Sequence, residues 1–393
     1  MKAFSLERFL LTLLLALLLI SCSGGGASSS SCGIGGSGMT SQGSVSGYGS
    51  IIVNGTEFDT TNARIIVEGE EKGIGDAVVL NNLEVGMVVT VYGTDSNNPV
   101  ADRVTYNDNV EGPVESINVI DATRKDIVVL GQTVIVNVVT EIKGTTFADL
   151  AVDDVVEVSG FVDDTGAIWA TFLEKTDGLV FEVTGFVKNL DTVQETFEIN
   201  NLTVDYSSAD TSALPGGEPA EDLFVEVEGT LTPTGEILAD SIQPGDELDV
   251  EDADEIEITG FVTDDTLAPA EFTVGNLVVQ TDANTLFVDG TAGDILPGQK
   301  LEAEGTLVNG ILLATEVEFW EPDQIEVEGD VTAIASPTEF TVGTQAVQID
   351  GSTVFEGGTP GDIALGVNLE VKGVPVDIDR SVLVADKVSF EEN

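Results

Sequence analysis

VEVEG, residues 225–229, is the stretch that decides the fold of this 393-residue chain. Its apolar residues alternate with glutamate and it ends in glycine, and four close copies occur elsewhere. We call the final residues of the five copies the late glycines: Gly93, Gly160, Gly229, Gly305 and Gly373. Seven residues before each late glycine stands a turn residue: Gly86, Asp153, Asp222, Gly298 or Gly366. Five copies of one cadence indicate tandem repeats.

A second glycine ends an earlier strand in every unit. We predict these early glycines at Gly47, Gly112, Gly185, Gly260 and Gly329. The intervals from early to late glycine are 46, 48, 44, 45 and 44 residues in turn. Between the two lies a predicted hairpin whose turn contains Asn or Gly, residues that tolerate positive φ. Each unit closes on a strand that contains an alanine: Ala101, Ala170, Ala239, Ala314 or Ala385.

Alternating apolar positions rich in Val, Ile, Thr and Phe, separated by frequent turns, predict an all-β protein. Five strands per unit, in the order strand, hairpin, short link, strand, strand, favour a small Greek-key barrel of the oligonucleotide/oligosaccharide-binding (OB-like) type. A small open sandwich is the alternative. The predicted segments are a signal peptide at 1–21, a flexible Gly/Ser tether at 22–42 and β-barrel repeats at 43–108, 109–176, 177–246, 247–322 and 323–393. The joint at 244–255 is predicted to be the most flexible.

The N-terminus is typical of a secretory signal peptide, with Lys2 and Arg8 ahead of an apolar run at 9–20. The run is short for a membrane span, which needs about 20 apolar residues. It ends in Ser21 and Cys22, an order that resembles the lipobox of bacterial lipoproteins. The resemblance implies lipidation at Cys22 and, because the next residue is serine rather than aspartate, the outer membrane of a Gram-negative cell. Ordinary cleavage, with Cys22 and Cys32 paired or free, is the alternative.

The charge balance excludes several classes of function. The chain has 70 acidic residues, 14 basic residues and no histidine, for a formal net charge of -56. Nucleic-acid binding needs Lys and Arg against phosphates, so DNA and RNA are not expected partners. Without histidine, Ser-His-Asp and Cys-His catalysis and imidazole metal sites are excluded. Carboxylate chemistry remains, but no spacing selects a pair, so we predict a protein that is not an enzyme and has no cofactor.

The glutamates of the repeated cadence alternate with apolar residues, as at 225–228 and 325–328. Alternation places them on the outward face of a strand, where we expect solvent. A dedicated cation site is the alternative. Further acidic clusters at Asp163 and Asp164, at 247–257, and at Asp377 and Asp379 supply the oxygen ligands that calcium prefers, but they lack the spacing of a calcium loop. We interpret them as solvated turns.

Three stretches carry a resemblance to a known family. They are GYGSIIVNGTEFDT at 47–60, VEGPVESI at 110–117 and DLAVDDVVEVSGF at 149–161. Together with the lipobox and the tether, they resemble the tandem-repeat bacterial lipoproteins of domain-of-unknown-function family 5666. The resemblance implies a repeated domain over nearly all of the mature chain. It implies no catalytic or binding residues.

These observations leave three hypotheses about function. The first is a non-enzymatic, lipid-anchored cell-envelope protein that binds an unknown partner or acts as a spacer. The second is a surface or matrix protein that binds divalent cations such as calcium. The third is a module that recognises a glycan or a peptide through exposed aromatics, for which the candidates are Tyr48, Tyr92, Trp169 and Trp320. For the two tryptophans, packing in a core or between domains is the competing expectation.

Overall fold

The computed structural model of this chain describes residues 38–48, 50–94, 99–245, 248, 250, 254–267 and 270–390. All of them belong to one compact unit. The predicted signal peptide, Cys22 and Cys32 lie outside the described residues, as does half of the predicted joint at 244–255. Among the helices of the described part, none is long and apolar enough to cross a membrane.

The described residues fold mainly into short strands. Repeat 1 contains β1 (Gly38–Gly47), β2 (Ile51–Val53), β3 (Thr56–Phe58), β4 (Arg64–Val67), β5 (Glu70–Ile74), helix α1 (Asp76–Asn82), β6 (Val88–Thr94) and β7 (Val100–Tyr106). Repeat 2 contains β8 (Val110–Val119), β9 (Lys125–Val129), β10 (Gln132–Val136), β11 (Glu141–Lys143), β12 (Val155–Val162) and β13 (Ile168–Thr176). Repeat 3 contains β14 (Phe181–Phe186), β15 (Lys188–Asp191), β16 (Thr196–Ile199), β17 (Leu202–Asp205), a 3-10 helix (Pro215–Gly217), β18 (Phe224–Leu231) and β19 (Ile237–Pro244).

The last two repeats have nearly identical element orders. Repeat 4 contains β20 (Glu255–Asp264), β21 (Glu271–Val274), β22 (Leu277–Gln280), β23 (Leu286–Val288), a 3-10 helix (Ala292–Asp294), β24 (Lys300–Val308) and β25 (Ile311–Trp320). Repeat 5 contains β26 (Ile325–Ser336), β27 (Glu339–Val342), β28 (Gln345–Gln348), β29 (Val354–Glu356), a 3-10 helix (Pro360–Asp362), β30 (Asn368–Pro375) and β31 (Leu383–Phe390).

Repeats 2, 4 and 5 form closed five-stranded barrels, which confirms the predicted OB-like fold. In repeat 2 the ring runs β8, β9, β10, β13, β12 and back to β8, and the third strand is parallel to the fifth. Repeats 4 and 5 close in the same order. In repeat 3 the first strand is interrupted at Val187, which divides it into β14 and β15. In repeat 1 a single bridge, Asp59 to Val100, joins the third strand to the fifth.

The late glycines mark a β-bulge at the same place in all five repeats. Each one is paired across the bulge with the predicted alanine of the closing strand. A Cβ added to Gly229 would lie 2.3 Å from the carbonyl oxygen of Leu238, and the other four late glycines are as crowded. Only glycine permits this approach of the two strands. The glycine that ends the repeated cadence is therefore a steric requirement of the barrel.

The predicted turn residues have positive φ in every repeat, between 66° and 92°. Each donates its backbone N–H to a valine carbonyl on the first strand of its barrel, at 2.8 or 2.9 Å. The accepting valine lies two residues after the early glycine in repeats 2 to 5. In repeat 1 it is Val45, so the equivalent early glycine is Gly43. Strand β1 does end at Gly47, as predicted, but Gly47 is not the equivalent of the other four early glycines. Counted from Gly43, the first interval is 50 residues, longer than the other four, and only the backbone pairing fixes this register.

The repeats are joined out of sequence order. Strand β1 of repeat 1 pairs in parallel with β20 of repeat 4, and β8 of repeat 2 pairs with β14 of repeat 3. Repeats 2 and 3 also share one hydrophobic core. Residues 38–42, predicted as part of the tether, are the first half of β1, because β6 and β20 pair with them on both sides.

Candidate binding cavity between four repeats

A cavity of about 1030 Å³ lies where repeats 1, 2, 4 and 5 meet. Repeat 1 contributes the hairpin turn at Asn54, and repeat 2 contributes Phe161 from the end of β12. Repeat 4 contributes Lys300 and Trp320 from the facing ends of β24 and β25, and repeat 5 contributes Lys372 from β30. Its volume is at the upper end of the range for small-molecule sites. The cavity depends on the arrangement of the repeats, and no single repeat contains it.

The scarce basic residues gather in this cavity. After Lys188 the chain has four, and all four line it: Lys300, Lys372, Arg380 and Lys387. Sequence reasoning did not select them as site residues. The sequence did contain a signal for them. Four isolated basic residues in so acidic a half of the chain indicate that each has a specific structural or functional role. Only the structure shows that they share one place.

Lys372 is a buried bridge between repeats 4 and 5. Its side chain is 7% exposed, and Nζ lies 2.6 Å from Glu318 Oε2 and 3.3 Å from Glu326 Oε2. Burial acts to lower the pKa of Lys372, but the carboxylates of Glu326 and Glu318 outweigh it and raise the pKa. The lysine therefore stays charged and holds the two glutamates together.

Arg380 joins repeat 5 to repeat 2. Its Nε donates to the carbonyl oxygen of Val138 at 2.8 Å, and its other guanidinium N–H groups reach the carbonyl of Val139 and the carboxylate of Glu141. The planar guanidinium makes these three bonds at once, which an ammonium group does not do with the same geometry. Arg380 is therefore a tie across the rim of the cavity.

Lys300 and Trp320 are different, because they lack such partners. Lys300 is 8% exposed, and its Nζ lies 5.3 Å from the ring centre of Trp320 and 5.8 Å from that of Phe161. Within the described residues its ammonium makes no ion pair, and burial lowers the pKa of Lys300 to about 8. Trp320 Nε1 is also buried, and none of the described residues supplies a hydrogen-bond acceptor for it, so this indole N–H is a buried donor without an acceptor among them.

A polar seam runs from the cavity along the contact of repeats 1 and 4. Asn54 donates to Ser41 Oγ and accepts from Thr259 Oγ1, and Thr259 also reaches Glu302. Ser41 in turn donates to Glu257. Burial and the neighbouring carboxylates raise the pKa of Glu257 to about 7 and raise that of Glu302 well above its ordinary value.

The prediction that the cadence glutamates face solvent is wrong for the first glutamate of several copies. Glu226 is 9% exposed and Glu326 has 13% of its side chain exposed, whereas Glu228 and Glu328 are exposed. Alternation does place these residues outward from their own barrel. A neighbouring repeat covers part of that outward face, and a single strand pattern does not distinguish a neighbour from water.

A second group of buried acids lies where repeats 1, 2 and 3 meet. Tyr106 Oη donates to Glu157 Oε1 at 2.6 Å, and the backbone N–H of Asp108 donates to Glu68. Burial and nearby carboxylates raise the pKa of Glu68 to about 8 and that of Glu182 to about 9. Asp108 is 5% exposed and its pKa is also raised by burial. Glu68 and Glu182 are therefore held as neutral acids near pH 7.

The acidic clusters at Asp163 and Asp164 and at Asp377 and Asp379 are turns, as predicted, but Glu255 and Glu257 of the cluster at 247–257 lie on strand β20, where Glu257 accepts from Ser41 at the contact between repeats. Asp163 accepts from the backbone of Thr165 and Ala167 and from Trp169 Nε1, and Asp377 accepts from Ser381. Much of 247–257 lies outside the described residues. Across the described part of the chain, no group of three or more acidic or cysteine side chains is arranged to hold a metal ion.

The four candidate aromatics have different surroundings. Trp169 packs on Phe261 of repeat 4, with ring centres 5.6 Å apart, as expected for packing between domains. Tyr92 stacks with the Arg103 guanidinium. Tyr48 is partly exposed, donates to the carbonyl of Leu83, and has its pKa raised to about 12 by burial and by a nearby glutamate. Only Trp320 lines the cavity.

Comparison with known proteins identifies the repeats. No curated protein matches the chain. A solved structure titled "drosophila Unr CSD456" matches at 14% identity over 55% of this chain and 98% of that chain, but its TM-score of 0.16 supports no inference. The model of a domain of unknown function, DUF5666, matches residues 41–105, 111–174, 184–243, 259–318 and 328–389. Since these five segments fall on the five barrels and span most of the chain, the protein belongs to the DUF5666 family and carries five tandem copies of its domain.

Proposed function

We propose that this protein is a non-enzymatic scaffold of the cell envelope, anchored by lipid at Cys22, whose five barrels together hold a binding partner. The observation that carries the proposal is that the residues of the barrel framework recur in every repeat, whereas the residues that line the cavity do not. The bulge glycine, its paired alanine and the turn with positive φ recur five times. The cavity residues Lys300, Trp320, Lys372 and Arg380 come from different places in two repeats.

This division favours a binding role over catalysis. An array that had multiplied a catalytic site would repeat its chemical groups, whereas here the framework is repeated. The composition supports the same reading, since histidine is absent and both cysteines precede the first strand. A serine after Cys22 favours the outer membrane as the location of the anchor.

Membrane fractionation of cells that express the full chain tests the anchor. We expect the protein to sediment with outer membranes, and globomycin, which blocks lipoprotein signal peptidase, to cause accumulation of the unprocessed form. A Cys22→Ala chain should appear in the soluble fraction, while a matched Cys32→Ala chain should stay with the membranes. Unchanged membrane association of the Cys22→Ala chain would refute the anchor.

A further inference from the structure

The first half of each repeat's first strand has one edge that its own barrel does not use. In repeat 4, Glu257 lies on this edge of β20 and pairs with Ser41 of β1. In repeat 2, the same edge of β8 pairs with β14 of repeat 3, and Thr184 donates its backbone N–H to the carbonyl of Asn109 just before β8. Four first strands are thus joined in two pairs. Among the described strands, the fifth, β26, pairs only with β27 and β30 of its own barrel.

The unpaired edge of β26 lies at residues 325–327, which line the cavity. Along an antiparallel pair, the backbone groups of successive residues point alternately toward the partner strand and away from it. The carbonyl of Asp330 points away from β30, because it accepts from the backbone N–H of Gly343 at the turn after β27. Glu326, four residues earlier on the same strand, therefore directs its N–H and C=O away from β30 and toward the unpaired edge.

The hairpin turn beside this edge is uncovered as well. In repeat 2 the turn at Gly131 packs against repeat 3, so that a β-carbon added there would lie 2.8 Å from the backbone nitrogen of Leu202. In repeat 5 a β-carbon added to Gly343 would meet nothing within 4 Å. A strand lies about 4.8 Å from its neighbour and rises about 3.3 Å per residue. The cavity of about 1030 Å³ therefore admits a short additional strand.

Repeat 4 shows what this edge binds when it is occupied. Glu257 stands three residues before the early glycine of repeat 4, as Glu326 does in repeat 5. The strand beside Glu257 is extended, and its Ser41 Oγ donates to Glu257 Oε2 at 2.8 Å. An extended segment beside β26 would in the same way place a donor side chain next to the carboxylate of Glu326.

The charge of the cavity wall indicates which donor is favoured. Three of the four bases in the wall are already paired with carboxylates: Lys372 with Glu318, Arg380 with Glu141 and Lys387 with Glu356. The wall contains nine carboxylates, namely Glu141, Glu302, Glu316, Glu318, Glu326, Glu328, Glu356, Glu370 and Asp379. This excess, in a chain with a net charge of -56, favours a cationic segment and disfavours an anionic one.

We infer that an extended peptide segment of a partner protein, carrying lysine or arginine, binds in the cavity by adding a strand to β26 beside Glu326. This inference rests on the proposed binding role and names the class of partner. Backbone hydrogen bonds to a strand edge give affinity for an extended segment, and the carboxylates of the wall give the preference for basic side chains. The added strand completes in repeat 5 the pairing that the other four repeats make with one another.

Fluorescence anisotropy with labelled peptides and the full mature chain is the first test. The probe is a heptapeptide in which lysine alternates with valine, and we expect saturable binding of one peptide per chain. The same peptide with glutamate in place of lysine should bind at least about tenfold more weakly. A lysine peptide with N-methyl groups on successive backbone nitrogens keeps the charge but cannot pair along either edge. It should also bind at least about tenfold more weakly.

Two substitutions at one position separate the strand edge from the charge. Glu326→Gln keeps the backbone N–H and removes the carboxylate, and it should weaken binding of the lysine peptide by about fivefold, as expected for the loss of one hydrogen bond. Glu326→Pro also removes the edge N–H, and it should weaken binding by about 25-fold. Proline is tolerated on a strand edge whose N–H has no partner strand. Glu339→Gln, at an exposed position outside the cavity wall, is the matched control and should bind as the wild type does.

Several outcomes would overturn the inference. They are a wild-type chain that binds no lysine peptide, equal binding of the N-methylated peptide, or a folded Glu326→Pro chain that binds as well as the wild type. If Glu326→Pro fails to fold, the two lysine peptides decide the question on the wild-type chain. Binding that requires removal of residues 22–37 would assign the edge to the N-terminal segment of the same chain. A dimer in light scattering that the lysine peptide dissociates would assign it to a second copy.

The lipid anchor is tested separately, because none of these results depends on it. Membrane fractionation of the Cys22→Ala chain therefore separates a failure of this inference from a failure of the envelope scaffold.

Discussion

The late glycine is the residue on which each barrel depends. In repeat 3, Gly229 is paired with Ala239, and the carbonyl of Leu238 occupies the space that a side chain would need. The bulge lets the fourth and fifth strands bend around a small barrel. A β-carbon here would force the two strands apart, since both partners in the contact are backbone.

Gly229→Ala should therefore destabilise the protein by about 1–3 kcal/mol, the range for overpacking a tight site. The midpoint of guanidinium unfolding, followed by circular dichroism, measures this. Gly351→Ala is the matched control, because a β-carbon at Gly351 meets nothing within 4 Å, and it should change stability by no more than about 0.5 kcal/mol. Equal midpoints for the two variants would contradict a steric role for the bulge glycine.

At this scale the sequence was informative. It identified the late glycine, its turn residue and the alanine of the closing strand, because each is a local steric or conformational requirement that recurs five times. A threonine that recurs in repeats 2, 4 and 5 also has a structural role. Thr140, Thr285 and Thr353 each donate from Oγ1 to the carbonyl of the alanine paired with the late glycine.

At the scale of elements, the first strand belongs to two barrels. Residues 38–42 pair with β6 of their own repeat and with β20 of repeat 4. Ser41 donates to Glu257, and the backbone N–H of Gly38 donates to Asp254. Composition placed these residues in the tether, because Gly and Ser carry no apolar signal. These residues form a strand because of backbone hydrogen bonds to distant strands, and such bonds cannot be predicted from the pattern of apolar and polar residues.

A chain that begins at Gly43 should therefore lose protection in β20, although it keeps the whole of repeat 4. The expected loss of amide protection at 256–258 is about fivefold or more, since one net hydrogen bond contributes about 1 kcal/mol. Hydrogen exchange measured by mass spectrometry checks this against a chain that begins at Gly38. If residues 38–42 were only a tether, the two chains would exchange alike.

At the scale of the whole molecule, the repeats act as one assembly in which distant units touch. Arg380 of repeat 5 reaches three groups of repeat 2. Lys372 of repeat 5 pairs with Glu318 of repeat 4 and with Glu326 on another strand of its own repeat. No pattern in the sequence predicts these contacts. Repeats of one domain share the signals that form a barrel, whereas contacts between barrels depend on single side chains that do not recur.

Replacing Arg380 should loosen repeat 5. Arg380→Met removes the bonds to Val138 and Val139 and leaves Glu141 unpaired at the interface, and Arg380→Lys should rescue only part of the effect because an ammonium lacks the planar fork. Faster exchange of 138–142 and faster proteolysis around residue 380 are the expected results. The control is Arg64→Met, whose ion pair with Glu71 is exposed. Equal behaviour of the Arg380→Met and Arg64→Met chains would argue against the tie.

The buried acids between repeats 1, 2 and 3 should make stability fall in alkali. Glu68 and Glu182 have folded-state pKa values of about 8 and about 9, raised from 4.5 by burial and neighbouring carboxylates. The folded protein therefore retains protons that the unfolded chain releases above pH 4.5. Their stabilisation is complete below that pH and is lost as the pH rises through 8 and 9.

Unfolding midpoints measured from pH 5 to pH 10 test this dependence. The wild-type chain should weaken steadily over the range, and Glu182→Gln, which keeps the shape of the protonated acid, should weaken less. Glu339→Gln, at an exposed position, should follow the wild type. A flat wild-type profile, or a Glu182→Gln profile as steep as that of the wild type, would exclude the buried acids as the cause.

The pairing of β1 with β20 also constrains the order in which parts of the protein can fold. The bonds from Gly38 and Ser41 join residues 216 positions apart, and contacts so distant along a chain form slowly. A chain made from its N-terminus holds its first strand with one edge unpaired until the fourth repeat has emerged. That edge is open to wrong partners during the interval. The strand that is synthesised earliest is thus among the last to be completed, and the pace of the fourth repeat governs how long the newborn protein is exposed to misassembly.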